Sequence, residues 1–391
     1  MDKKAFFCLL LLTCAASFLS AQETAPFLSA WTNDAPFPVR SELTFPEGAV
    51  HTIVQDCDTD PDYKFLHETA VTVDGDGEIL VAWYNNPKDE LSGKTFQRGR
   101  RSLDGGKTWS EPEIIMDRDN DKGSMYVGIQ FLTVGGTLYA LTNQESGAEK
   151  PVNCLLLRCD KASKKWEELG PIAARFLSMQ GPILMENGNY LVPGSYNPTP
   201  GGVNGFMPVV YISRGDKITE PWRRVLIDTE YVNVFAETAT VVDGPHIFAV
   251  TRRENTPFPN LYTSDDFGET WRKEENRIFP TTSAKFAGGK LSNGVRYLIF
   301  NLPNFQRDAN GKIPADGYPR DRAMLVIATA EPGAPAFSKM WKVSDVTSPT
   351  AQVNSHYPCA FERDGKLYIS YTGQHKLRNA GLTILPIESL K

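Results

Sequence analysis

The chain has 391 residues, a formal net charge of −6, and 23% charged against 41% hydrophobic residues. That acidic balance argues against nucleic acid or an anionic membrane as the partner. The length alone would suit two or three average domains, so the first question is whether the chain divides into domains or into repeats.

At the N-terminus, Lys3-Lys4 precedes an apolar stretch from Ala5 to Ala16, and Leu19-Ser20-Ala21 offers a small-residue cleavage site before Gln22. This predicts an export signal over residues 1–21, too short to span a bilayer, and hence a location in the periplasm, at the cell surface or in the medium. Its removal takes away Asp2, Lys3 and Lys4, a net +1, leaving −7. Cys14 follows Leu11-Leu12-Thr13, a weak lipoprotein-like box, so a lipid anchor at Cys14 stays open. Residues 22–44 read as an N-terminal segment. The run Gln55-Asp56-Cys57-Asp58-Thr59-Asp60-Pro61-Asp62 alternates like a calcium loop but lacks the sixth-position Gly and the closing Glu. A solvated acidic loop is expected there, and no metal.

From about residue 45 to 391 the chain reads as one repeated unit. The first unit opens at Glu68-Thr69-Ala70-Val71-Thr72-Val73, continues through Ile79-Leu80-Val81-Ala82-Trp83-Tyr84 and Phe96 to Arg101, and ends on Ser102-Leu103-Asp104-Gly105-Gly106-Lys107-Thr108-Trp109. A second opens near Gly128-Ile129-Gln130-Phe131 and ends on a degraded copy of that turn, Asp160 to Trp166. A third runs from Gln180-Gly181-Pro182-Ile183-Leu184 to Trp222. The fourth opens at Glu237-Thr238-Ala239-Thr240-Val241-Val242 and closes on Ser264-Asp265-Asp266-Phe267-Gly268-Glu269-Thr270-Trp271. A fifth spans Lys285-Phe286-Ala287 to Trp341, and the sixth opens at Tyr357-Pro358-Cys359-Ala360-Phe361.

Each unit holds about four short strands with Gly or Asn turns and no amphipathic helix, at a spacing of roughly 50 to 70 residues, which indicates propeller blades. Six units predict an all-β, six-bladed β-propeller. Units three and five lack a clean turn motif, which leaves five or seven blades open. His51-Thr52-Ile53-Val54 is placed to supply the outer strand of the last blade and so close the ring. After signal removal the cysteines are Cys57, Cys154, Cys159 and Cys359. Cys154 and Cys159 fall on opposite faces of one strand, and no pair has metal-ligand spacing.

The Ser-x-Asp-x-Gly-x-Thr-Trp turn, present twice, resembles the Asp box of sialidases and related propellers, the BNR repeat. In such a turn Asp accepts local backbone N–H bonds, Gly takes the φ > 0 position and Trp covers the turn. These turns sit at the outer rim of a blade, so they are scaffold.

In a propeller the inner strands start near one mouth of the central channel. The starts here are His67-Glu68, Gln130, Gln180, Glu237 and His356-Tyr357, a polar set suited to a sugar. The sialidase resemblance implies roles for some of them: Tyr357 as nucleophile, Glu237 as its activating base, Arg252 on the next strand, Arg320 or Arg322 as a further arginine, and Asp89 as acid/base. One departure is evident. Where the family has Phe-Arg-Ile-Pro, with an arginine that grips the substrate carboxylate, this chain has Phe65-Leu66-His67-Glu68. An acidic group there repels a carboxylate, which argues for a different glycan or a rearranged site.

Two mechanisms stay open. One is double displacement at Tyr357. The other is single displacement by water, with Glu68 or Glu237 as general acid or base and His67 or His356 assisting. A glycosidase without cofactor, acting on a glycan or glycoconjugate, is the leading expectation. A polysaccharide lyase and a non-catalytic glycan-binding propeller are the alternatives.

Overall fold

The computed structural model describes residues 30–32, 34–56, 62–90, 94–119, 122–311, 313, 321–346, 354–373 and 379–391. Residues 1–21, read above as an export signal and holding Cys14, most of the run 55–62 with Cys57, and Arg320 lie outside the described residues.

The described strands form six antiparallel sheets, each running from an inner to an outer strand, arranged as a β-propeller. Blades one to five occupy residues 65–116, 125–174, 176–226, 238–274 and 287–345. Blade six takes three strands from residues 355–386 and its outermost strand, Val50–Gln55, from the start of the chain. Val50 pairs with Ile384 and Ile53 with Gly381, so the ring closes through backbone hydrogen bonds between the two ends of the domain. Closure removes two edges that would otherwise invite pairing with other chains.

The middle strands explain the apolar runs in the sequence. Every residue of Ile79–Asn86 and of Tyr190–Tyr196 is buried, because each blade is covered on both faces by its neighbours. The core is accordingly divided among the interfaces between blades. Leu80, Ala82, Ile129 and Leu157 join blades one and two, Leu191, Val210, Ile247 and Tyr262 join three and four, and Val71, Val81, Leu382 and Ile384 join one and six. The interface of blades four and five also takes in Trp31, Phe37, Val39 and Leu43. Arg40 pairs with Asp321 at 2.6 Å and Arg307 donates to the Phe37 carbonyl. The segment ahead of the first strand is therefore packed onto the propeller.

Both Asp boxes connect the third strand of a blade to its outer strand. Asp104 Oδ1 accepts from the N–H groups of Lys107 and Thr108 at 3.0 and 2.9 Å and from Ser102 Oγ at 2.8 Å, while Oδ2 accepts from Thr108 Oγ1 at 2.6 Å. Asp266 repeats the pattern with Glu269, Thr270 and Ser264. The Thr108 side chain foremost holds the Asp104 carboxyl well below the usual carboxylate range. Gly106 and Gly268, at φ +89° and +84°, bring the turn against the preceding blade, where Trp109 and Trp271 pack over blades six and three.

Candidate active site

Three inner strands begin with the same irregularity. The pairing register shifts between His67 and Ala70, between Val127 and Ile129, and between His356 and Cys359. At each bulge one residue is left-handed: Glu68 at φ +46°, Gly128 at +53° and Tyr357 at +57°. Glycine adopts this conformation freely, but for Glu and Tyr it costs of order 1–3 kcal/mol. Strain held at a channel mouth by the surrounding sheet is a site-forming feature. It aims the extra residue's side chain at the channel instead of along the blade face.

Tyr357 is 6% exposed. Its hydroxyl donates to Glu237 Oε1 at 2.6 Å. Arg252 Nη1 donates to Glu237 Oε2 at 2.9 Å and to Tyr357 Oη at 3.0 Å, so one guanidinium nitrogen holds both members of the pair. Glu237 enters the inner strand of blade four and Arg252 leaves the adjacent strand; the Arg252 N–H to Glu237 carbonyl bond, 2.9 Å, fixes them side by side. Arg252 is in turn held from behind, by Glu254 at 2.7 Å and Ser283 Oγ at 2.8 Å. Its own burial opposes the charge, but Glu237, Tyr357 and Glu254 outweigh that and keep it firmly protonated. Burial above all, then the Glu237 charge, pushes the Tyr357 phenol well above its ordinary range, against the pull of Arg252 and Arg322.

Around this triplet the other blades add charge and rings. Arg322 lies 5.5 Å from the Tyr357 ring centre, donating to His356 Nδ1 at 3.0 Å and to the Ser283 carbonyl at 2.8 Å. The His67 ring is 4.3 Å from that of Tyr357 and 5.0 Å from that of His356, and its Nδ1 meets Thr372 Oγ1 at 3.0 Å. Glu68 Oε2 lies 3.9 Å from the ammonium of Lys285, which is 1% exposed. Glu145 is buried on blade two, and desolvation foremost lifts its carboxyl to about 8, with Glu68, Glu149 and Glu90 adding to the lift.

The structure thus brings together Glu237, Arg252, Tyr357, Arg322, His67, His356 and Glu68. Asp89 is exposed on the loop that follows the second strand of blade one, where its carbonyl accepts from Asn86 Nδ2. Its neighbour Glu90 is the side chain that reaches His67, at 4.0 Å. Gln130 and Gln180 do not join the Tyr357 cluster. The Gln180 amide stitches blades four and five, donating to the carbonyls of Thr240 and Gly288 at 3.0 and 2.9 Å. Gln130 accepts from the Cys359 thiol at 3.8 Å. Both line a cavity of about 730 Å³ that opens toward the far ends of the inner strands, with Glu186, Lys290 and Glu362. Gln130 stands two residues beyond Gly128, about 7 Å further along the channel, and Gln180 follows the end of the short inner strand Phe176–Ser178.

Sequence reasoning missed Glu254, Ser283, Lys285, Glu90 and Glu145. Lys285 carried a usable signal. It stands two residues before Ala287, as Glu68 does before Ala70 and Glu237 before Ala239, and all three alanines pair into the second strand of their blade. Among the described residues no group of three or more His, Cys, Asp or Glu could hold a metal ion, and no helix is long and apolar enough to cross a membrane.

Residues 77–369 match the profile of the family described as BNR repeat-like domain. No curated protein matches the chain. Solved structures similar to it include a Hadza microbial sialidase, with a TM-score of 0.65 at 14% identity over 88% of this chain and 69% of that one. A mutant of Trypanosoma rangeli sialidase displaying trans-sialidase activity gives 0.62 at 15% identity over 89% of this chain and 60% of that one. A protein of unknown function from Dyadobacter fermentans gives 0.61 at 15% identity, over 86% and 99%. At these identities the likeness is one of fold.

Proposed function

This chain belongs to the BNR repeat-like domain family, and we propose that within it the protein is a glycan-cleaving hydrolase that transfers a terminal sugar first to Tyr357 and then to water. The observation that carries this reading is the 2.6 Å hydrogen bond from Tyr357 to Glu237 Oε1, with Arg252 donating to the Tyr357 hydroxyl and to Glu237 Oε2. A phenol is a weak nucleophile at neutral pH and needs a base within hydrogen-bond reach. Glu237 is that base: it takes the phenolic proton as the Tyr357 oxygen attacks the anomeric carbon, and Arg252 stabilises whichever oxygen is then negative. A neutral nucleophile suits an acidic sugar, which a carboxylate nucleophile would repel. Half-buried Arg322, beside the Tyr357 ring, supplies positive charge for such a group. The departing oxygen needs a proton, and the loop carrying Asp89 and Glu90 is the source nearest His67.

The test is incubation with mucin and plant glycans. Release of free sugar is expected, lost by roughly 10³-fold or more in Tyr357→Phe and in Glu237→Gln, with a sugar adduct on the tryptic peptide containing Tyr357. An unsaturated product would assign a lyase instead, and binding without turnover a glycan-binding propeller. The export signal over residues 1–21 would place the enzyme where extracellular glycans are; N-terminal sequencing of the protein recovered from outside the cytoplasm should begin at Gln22.

A further inference from the structure

Lys285 and Glu68 meet across the channel from blades five and one, beneath the Tyr357 ring. The ammonium is 1% exposed, lies 3.9 Å from Glu68 Oε2 and 6.0 Å from the Tyr357 ring centre. Its Nζ has no hydrogen-bond acceptor within range, so the ion pair is the only polar contact that it makes among the described residues. Burying an ammonium this completely is costly unless a charge faces it. Glu68 is held for that task by its surroundings. Its left-handed backbone turns the carboxylate toward blade two, where a Cβ on Gly128 would stand 2.5 Å from Oε2. Only a glycine leaves the space that the carboxylate occupies.

Resting on the reading of Tyr357 as the nucleophile, we propose that Lys285 and Glu68 are positioning residues with opposite effects on the ionisation of Tyr357: Lys285 stabilises the phenolate formed when Glu237 takes the proton, and Glu68, facing the ammonium, opposes that stabilisation. Glu68 is then not a general acid or base, because its carboxylate is committed to the ammonium and to the Gly128 recess. The charged or titratable groups facing Tyr357 are Glu237 and Arg252 from blade four, Lys285 and Arg322 from blade five, His67 and Glu68 from blade one, and His356 from blade six. Glu68 raises the phenol and Arg252 and Arg322 lower it. A unit charge about 6–8 Å away at an effective dielectric near 20 shifts a titration by about one to two pH units.

The experiment replaces Tyr357 with a fluorinated tyrosine, which brings the phenol into a measurable range, and follows its ionisation by fluorine NMR in the full-length protein. Lys285→Met should raise the midpoint by about one unit and Glu68→Gln should lower it by a similar amount, with Lys285→Arg close to the parent. A midpoint moved less than about 0.3 unit by both Lys285→Met and Glu68→Gln, or moved in the same direction by the two, overturns the proposal. Should Lys285→Met fail to fold, Glu68→Gln decides alone, since a merely structural Glu68 would leave the midpoint where it was. The readout needs no turnover. If the midpoints move as stated but no glycan is cleaved, the pair stands and the hydrolase reading falls.

Discussion

Arg252→Met tests the frame of the site more directly than any other substitution. The guanidinium is 4% exposed and faces two carboxylates, Glu237 at 2.9 Å and Glu254 at 2.7 Å, whose side chains are 5% and 10% exposed. Methionine fills much of the same volume but removes the counter-charge from both. Breaking a buried pair in this way costs about 3–5 kcal/mol, because a desolvated charge is left behind. With an unfolding entropy of about 2.1 cal/mol/K per residue, the 391-residue chain should lose about 4–6 °C of melting temperature. The sign with pH follows. A carboxylate left buried without its counter-charge is penalised only in its ionised form, and taking up a proton relieves it. Stability from such groups is present in acid and lost as pH rises, so the gap between variant and parent should be widest at neutral pH and narrow toward about pH 5. Circular dichroism melts over that range measure it. Arg252→Lys, which keeps the charge but not the fork of donors, should fall between the two. A gap below about 1 °C, or one that is flat across the range, would refute the claim that Arg252 neutralises a pair of buried carboxylates.

Two further outcomes follow from the same geometry. Glu145, buried and lifted to about 8, has a folded pKa above its unfolded value, so its contribution is full in acid and is lost as pH rises from about 4.5 to about 8; Glu145→Gln should be more stable than the parent in melts above about pH 8 and no more stable in acid. Gly128→Ala would place a Cβ 2.5 Å from Glu68 Oε2 and 2.8 Å from Asn143 Nδ2 at a φ of +53°; it should cost about 2–4 kcal/mol in denaturant unfolding, and Glu68→Ala in the same chain should recover part of that loss.

What was legible in the chain was whatever depends on local spacing. The two Asp boxes are self-contained turns, so Asp104 and Asp266 could be assigned their backbone partners from sequence alone. Glu237, Arg252 and Tyr357 were legible because each sits at the end of an apolar strand, in a register that repeats between blades. Gln130 was misplaced by a single side-chain period, and Gln180 falls after the end of its short inner strand. Residues i and i+2 share a face of a strand, so pattern alone cannot say which of them stands at the mouth. The bulges at Glu68, Gly128 and Tyr357 are what move the count, and only the glycine has a conformational preference that hints at one. Glu254 and Ser283 were harder still, since their importance lies in the Arg252 fork, which joins blade four to the segment leading into blade five. The packing of Trp31 and Phe37 onto blades four and five belongs to no repeat and gave no periodic signal.

The repeat also explains how a near-symmetric scaffold yields an asymmetric site. In five blades one position lies two residues before the inner-strand residue that pairs into the second strand: Glu68 before Ala70, Gly128 before Gln130, Glu237 before Ala239, Lys285 before Ala287 and Tyr357 before Cys359. One register therefore supplies two acids, a base, a phenol and a vacancy to the same ring. Their order around the channel decides the chemistry. Tyr357 lies between a blade-one acid neutralised by Lys285 and a blade-four acid that accepts its proton, and Arg252 sides with the second of these. Had Gly128 carried a side chain, its Cβ would stand 2.5 Å from Glu68 Oε2, and the carboxylate could not keep its present place facing Lys285. The bare position in blade two is thus as much a part of the site as the charged ones, because it leaves Glu68 room to face Lys285 while Glu237 takes the hydrogen bond from Tyr357.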